Sequence, residues 1–216
     1  MELTLSEIPF TDNPQLLNNA SFHNGYKRIN IDVETNSDLL NALIPFLSKN
    51  NSFTEICFSA KISSDLEPIV NSNVLNQIKQ LIFENFKFES KLIDPVVKIV
   101  NNSSLELLEF NSCLDDNTTN QLLTNLSSSQ KFNEIPIIGF SNNNSTVLKY
   151  LSAFSNKKKL ILRNCEFEIQ PVLQSISGLN AVQIESIDLT GNQCTKPTSQ
   201  QLNLPSTLNE IILDEV

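Results

Sequence analysis

At 216 residues the chain has the length of one large domain or two small ones, enough to bury a core without disulfide support. Its 24 Asp and Glu against 15 Lys and Arg leave a formal charge of −9, which argues against a nucleic-acid surface, where phosphates demand clustered cations, and against an anionic membrane surface. Four glycines are too few for Gly-rich phosphate loops, the single histidine, His23, excludes any site needing two, and no apolar run nears the roughly 20 residues that span a bilayer.

Read in chain order, short apolar-x-apolar units recur at Leu3-Leu5, Ile29-Ile31, Ile56-Phe58, Leu81-Phe83, Leu108-Phe110, Ile138-Phe140, Leu160-Leu162, Ile187-Leu189 and Ile211-Leu213. The second members are spaced by 26, 27, 25, 27, 30, 22, 27 and 24 residues, an average of 26. Each unit reads as a strand with both apolar residues on one face. Between the strands the pattern turns helical over Asp38 to Leu47, Leu92 to Val100, Thr119 to Leu126, Thr146 to Phe154 and Gln170 to Ile176. Asn13 before Pro14, and Asp115-Asp116 before Asn117-Thr118, supply N-cap chemistry for helix starts.

Two further positions test the period. Five residues before the second member stand Tyr26, Phe53, Ile78, Leu105, Ile135, Lys157, Ile184 and Leu208, apolar in every unit but that of Lys157. Three residues after it stand Cys113, Asn143, Cys165 and Asn192 in consecutive units, polar groups able to satisfy buried turn amides. Earlier units place Ile8, Glu34, Lys61 and Phe86 there, so their turns need other partners. The period and the alternating Cys and Asn, best seen in Leu160-Ile161-Leu162-Arg163-Asn164-Cys165-Glu166-Phe167, resemble the ribonuclease-inhibitor-like class of leucine-rich repeats. The resemblance is strongest from residue 78 onward. It implies an α/β solenoid, a horseshoe of about nine repeats forming one domain over residues 1–216, with a parallel sheet on the concave face and helices on the convex face.

If the apolar pair points inward, the residues between and beside it point outward from the sheet. This places Arg28 and Arg163, the only two arginines, on the concave face. Ile82, Leu107, Ile137 and Ile161 are expected to form an apolar strip there, rimmed by Glu84, Glu109 and Lys159, as in an interface core with a polar rim. Such a surface suits a non-catalytic adaptor or complex subunit that grips a protein partner. Repeats of this class also resemble those of GTPase-activating and tropomodulin-type actin-regulating proteins, which makes a regulator of a GTPase or of the cytoskeleton the alternative. The Asn-rich, Gly-poor composition adds a third expectation, a pathogen effector that uses the repeat to bind a host protein.

No catalytic, cofactor or metal site is expected. Cys57, Cys113, Cys165 and Cys194 are too widely spaced for a zinc knuckle, and they are read as thiols, with Cys57 the exposed one. Asp115-Asp116 is read as a cap rather than a metal site, and Lys157 to Lys159 as a solvated turn. Neither end of the repeat array carries a polar cap, so edge-mediated self-association, a covering partner or trimming from a longer chain is expected. The Met1-Glu2 start lacks the basic-then-apolar order of a secretory signal, and a cytoplasmic location is expected.

Overall fold

Nine short strands hydrogen-bond side by side in chain order, every neighbouring pair parallel. The computed structural model describes residues 1–6, 17, 25–64, 66–142, 145–179, 182–194 and 203–214. The strands are β1 (Glu2–Ser6), β2 (Arg28–Asp32), β3 (Glu55–Phe58), β4 (Gln80–Glu84), β5 (Leu107–Asn111), β6 (Ile137–Ser141), β7 (Lys159–Arg163), β8 (Ser186–Asp188) and β9 (Glu210–Ile212). Ile8, the Asn13-Pro14 cap, His23 and Asn143 lie outside the described residues.

The register stacks the first members of the predicted pairs on one another, with Leu3 on Ile29, Ile29 on Ile56, Leu108 on Ile138 and Leu160 on Ile187. A one-residue slip would turn each apolar pair to the opposite face, so burial of that face selects this register. The second members form a ladder of their own. Phe58 and Phe83 stack with ring centroids 5.6 Å apart, Phe83 and Phe110 at 5.4 Å, and Phe110 and Phe140 at 5.8 Å, with interplanar angles of 11°, 11° and 15°. Phe88 meets Phe83 and Phe110 edge-on. Burying each ring contributes roughly 1.5–3 kcal/mol, and the pair geometry adds about 0.5–1.5 kcal/mol.

Helices join the strands and bury one side against this core. They are α1 (Ser37–Lys49), α2 (Glu67–Val70), α3 (Ile93–Asn102), α4 (Asp116–Ser127), α5 (Gln130–Glu134) and α6 (Ile169–Ser177). Leu39, Leu40, Leu43, Phe46 and Leu47 of α1 are buried, the three-to-four spacing of an amphipathic helix. Asn36 caps it by accepting the Leu39 N–H at 2.9 Å. Asp115 caps α4 as expected: its carboxylate accepts the Thr118 N–H at 2.8 Å, and Thr118 Oγ1 accepts the Asp115 N–H at 3.0 Å. The segment Ser145–Phe154, expected as an α-helix, is instead a 3-10 helix. The short α2 and α5, and the 3-10 turn Asn73–Asn76, carry too few residues for periodicity to register.

The Asn and Cys positions close the turns that follow the strands. Asn192 Nδ2 donates to the Leu162 and Leu189 carbonyls at 2.5 and 2.8 Å, and its Oδ1 accepts the Cys165 and Phe167 N–H groups at 3.0 and 3.3 Å. Cys113 Sγ donates to the Phe83 carbonyl at 3.5 Å, and Cys165 Sγ to the Phe140 carbonyl at 3.2 Å. In the early units, backbone pairs do the same work, with Thr35 N–H donating to the Lys61 carbonyl and Ser63 N–H to the Thr35 carbonyl. The chain leaves successive strands through left-handed residues: Asn85, Ser112, Asn142, Asn164 and Gly191, at φ of 61°, 52°, 51°, 50° and 74°. Asn tolerates this region better than other side chains do, so an Asn-rich chain can turn here with few glycines.

Lys157 corrects the reading of its segment as a solvated turn. It is fully buried in the apolar register position, with Nζ donating to the Phe132 carbonyl and lying 4.0 Å from the centroid of the Phe132 ring. The aliphatic stem fills the apolar slot, and the ammonium finds a carbonyl and a π-face at its end. Burial pulls its pKa down to about 8.

Candidate functional site

Alternation along the strands leaves a second sheet face, and the register sorts its side chains into rows. The row at the strand starts runs Glu2, Arg28, Glu55, Gln80, Leu107, Ile137, Lys159, Ser186 and Glu210. The middle row runs Thr4, Asn30, Cys57, Ile82, Glu109, Gly139, Ile161, Asp188 and Ile212. The third pairs Ser6 with Asp32, and farther along Glu84, Asn111, Ser141 and Arg163.

Neighbours within a row sit about 4.8 Å apart, and burial along the middle row is uneven, with Thr4 exposed and Asn30, Glu109 and Ile212 half-buried while other members are covered. Cys57 is 0% exposed, Ile82 7%, Ile161 5% and Asp188 2%. Three expectations change as a result. Cys57 is buried rather than exposed. Ile82 and Ile161 are buried rather than presented. The apolar strip is not continuous either, because Ile82 pairs with Glu109 and Ile161 with Gly139 and Asp188. Leu107 and Ile137 are adjacent and half-buried, and they form an apolar patch midway along the row at the strand starts. Glu109, expected at the rim, stands in the middle row beside them.

Two ion pairs stand toward opposite ends of the face. Arg163 reaches Asp188 Oδ2 with Nε at 2.7 Å and Nη2 at 2.6 Å, while Asp188 Oδ1 accepts from Thr190 Oγ1 at 2.7 Å. Burial penalises the Asp188 carboxylate, but the hydrogen bonds from Arg163 and Thr190 outweigh it and hold the group below the usual carboxylate range. Arg28 Nε lies 3.6 Å from Glu2 Oε2, beyond hydrogen-bond reach, and is buried without a hydrogen-bond partner among the described residues. Burial and the nearby Glu84 carboxylate push the Cys57 thiol up to about 12, against the opposing pull of Arg28. That leaves it neutral and a poor nucleophile.

Glu109 is the odd member. Its side chain leans over Gly139, where a Cβ would stand 2.8 Å from Glu109 Cγ, so only the glycine leaves it room. Ser141 Oγ donates to its carboxylate at 3.5 Å. Burial raises its pKa, Arg163 pulls it back, and Glu84 raises it further. Among the described residues neither Glu84 nor Glu109 meets a cation within ion-pair distance. Lys159 is half-buried between Ile137 and Ser186 in the first row.

Sequence reasoning placed Arg28, Leu107, Ile137, Lys159 and Arg163 on this face, and the register brings Leu107, Ile137 and Lys159 side by side. Alternation also puts Asp188 and Gly139 on this face, but sequence reasoning gave them no role in the site, since the partner of Arg163 and the slot under Glu109 come from neighbouring strands. Elsewhere, an open depression of about 400 Å³ lies between α3 and α4, lined by Asp94, Asn120, Gln121 and Thr124. Another of about 630 Å³ lies along the left-handed turns at Asn85, Ser112 and Asn142. Among the described residues no group of three His, Cys, Asp or Glu is placed to hold a metal ion, and no helix is long and apolar enough to cross a membrane. The chain matches no protein-family model, and a comparison with curated proteins finds no match.

Proposed function

We propose that this chain is a leucine-rich-repeat horseshoe that acts as a non-catalytic, cytoplasmic protein-binding module, gripping a protein partner on its exposed sheet face. The observation that carries this reading is the face itself. Nine in-register strands present half-buried Leu107 and Ile137 flanked by charged side chains, a layout that suits an interface with an apolar centre and a polar surround. The Cys and Asn bonds of the later turns support the repeat class, and the four thiols fit a reducing compartment.

The test is capture from native extract on three immobilised proteins: wild type, Leu107→Lys/Ile137→Lys on the sheet face, and Gln121→Lys/Asn125→Lys on the helical side. The two variants add equal charge, and circular dichroism checks that each is folded. The reading expects a protein held by the wild type and the helical-side variant and lost by the sheet-face variant. Loss from the helical-side variant alone would move the working surface to the helices and end the reading.

A further inference from the structure

We infer that the partner's docking segment is basic and extended, seating an Arg or Lys against Glu84 and Glu109 and an apolar side chain against Leu107 and Ile137. This deepens the protein-binding reading and rests on it. The strands put seven carboxylates on the exposed face against three cations. Two of those cations are already engaged by carboxylates of the same face, Arg163 by Asp188 and Arg28 by Glu2. The surplus negative charge is therefore greatest at the middle of the face, where Glu84 and Glu109 stand on adjacent strands without an ion-pair partner among the described residues.

Geometry fixes what kind of group completes this centre. Gly139 leaves the slot across which Glu109 lies, so the carboxylate is held at the sheet surface rather than swung freely into solvent. Leu107 precedes Glu109 by two residues on the same strand, which sets an apolar contact and a carboxylate about 7 Å apart. An extended segment repeats its side chains at that same two-residue spacing, so a basic residue next-but-one to an apolar residue meets both at once. A partner cation also relieves the repulsion between two neighbouring carboxylates, which an acidic or neutral segment does not.

The test uses the full chain and fluorescence anisotropy at low salt with two labelled probes. One is a peptide of about twelve residues built from Arg, Leu and Ser, and the other carries Glu in place of every Arg. The chain is compared with Glu84→Gln/Glu109→Gln and with Asp94→Asn/Glu166→Gln, which removes the same charge away from the sheet face. The amide introduced by Glu109→Gln keeps the shape that fits over Gly139, so the first variant retains the fold. The expected result is binding of the Arg peptide, weakened about tenfold in Glu84→Gln/Glu109→Gln and by less than about twofold in the charge-matched control.

Failure to bind the Arg peptide, equal binding of the Glu peptide, or equal losses in both variants would overturn the inference. The two proposals fail separately. If Leu107→Lys/Ile137→Lys loses a captured protein that Glu84→Gln/Glu109→Gln still holds at full strength, the sheet face binds but the partner is not basic.

Discussion

Replacing Lys157 with methionine should make the protein more stable, although it removes a hydrogen bond. The lysine is fully buried with no ion-pair carboxylate among the described residues, and burial lowers its pKa from 10.5 to about 8. At about 1.4 kcal/mol per pH unit, keeping the ammonium charged at neutral pH costs about 3 kcal/mol. Methionine has a similar unbranched stem and fills the same slot without charge. It leaves the Phe132 carbonyl without its Nζ donor, a loss of about 1–2 kcal/mol. The net expectation is a gain of about 1–2 kcal/mol at pH 7, or roughly 3–6 °C in Tm for a chain of this size.

The pH dependence gives a second readout on the same variant. Between the folded pKa of about 8 and the unfolded 10.5, the native state binds fewer protons at this site than the unfolded chain, so stability rises with pH. From pH 7.5 to 9 the wild type should gain about 1 kcal/mol relative to Lys157→Met in urea unfolding followed by circular dichroism. The thiols of Cys57 and Cys113, both pushed up by burial, ionise first in the unfolded chain from about pH 8 upward and lower the stability of both proteins alike, so the difference between the two is the readout. A variant at least 1 kcal/mol less stable than wild type at pH 7, or equal pH slopes in the two proteins, would refute the reasoning.

Other consequences follow from the turns, the core and the thiols. Asn192→Ala leaves two carbonyls and two N–H groups without their side-chain partner, and should cost about 3 kcal/mol in the same unfolding assay. A loss under about 1 kcal/mol would mean that water replaces the amide. Phe110→Ala removes the ring between Phe83 and Phe140 and should cost about 3–5 kcal/mol, against about 1 kcal/mol or less for an exposed alanine substitution such as Lys149→Ala. Cys57, buried and neutral, should alkylate with iodoacetamide far more slowly than exposed Cys194 in the folded protein, as followed by peptide mass spectrometry. Equal rates would contradict its burial.

Much of the architecture was legible because the signal was local and repeated. The apolar pairs predicted the strands, and six of the eight residues five places before a second member are buried, Phe53, Ile78 and Ile184 among them, while Tyr26 and Leu208 pack half-buried against the core and Leu213, a predicted pair member at the last strand, is exposed. The Asp115 cap was readable because its partner Thr118 is only three residues away. Lys157 broke the apolar pattern by residue type and kept it by position, since a hydropathy reading weighs the ammonium and not the aliphatic stem. The 3-10 winding of Ser145–Phe154 was not legible, because 3-10 and α-helical segments bury similar apolar spacings.

The sequence by itself determined which residues of each strand face the core, because side chains alternate along a strand and the apolar pairs recur often enough to set one register throughout. It did not determine which outward residues remain accessible or whom they meet. That depends on neighbours brought alongside from some 25 residues away, at a spacing of about 4.8 Å, which leave Cys57, Ile82 and Ile161 covered. Only the assembled sheet turns Arg163 onto Asp188, lays Glu109 across Gly139 and leaves Leu107 beside Ile137 as an apolar patch on the face.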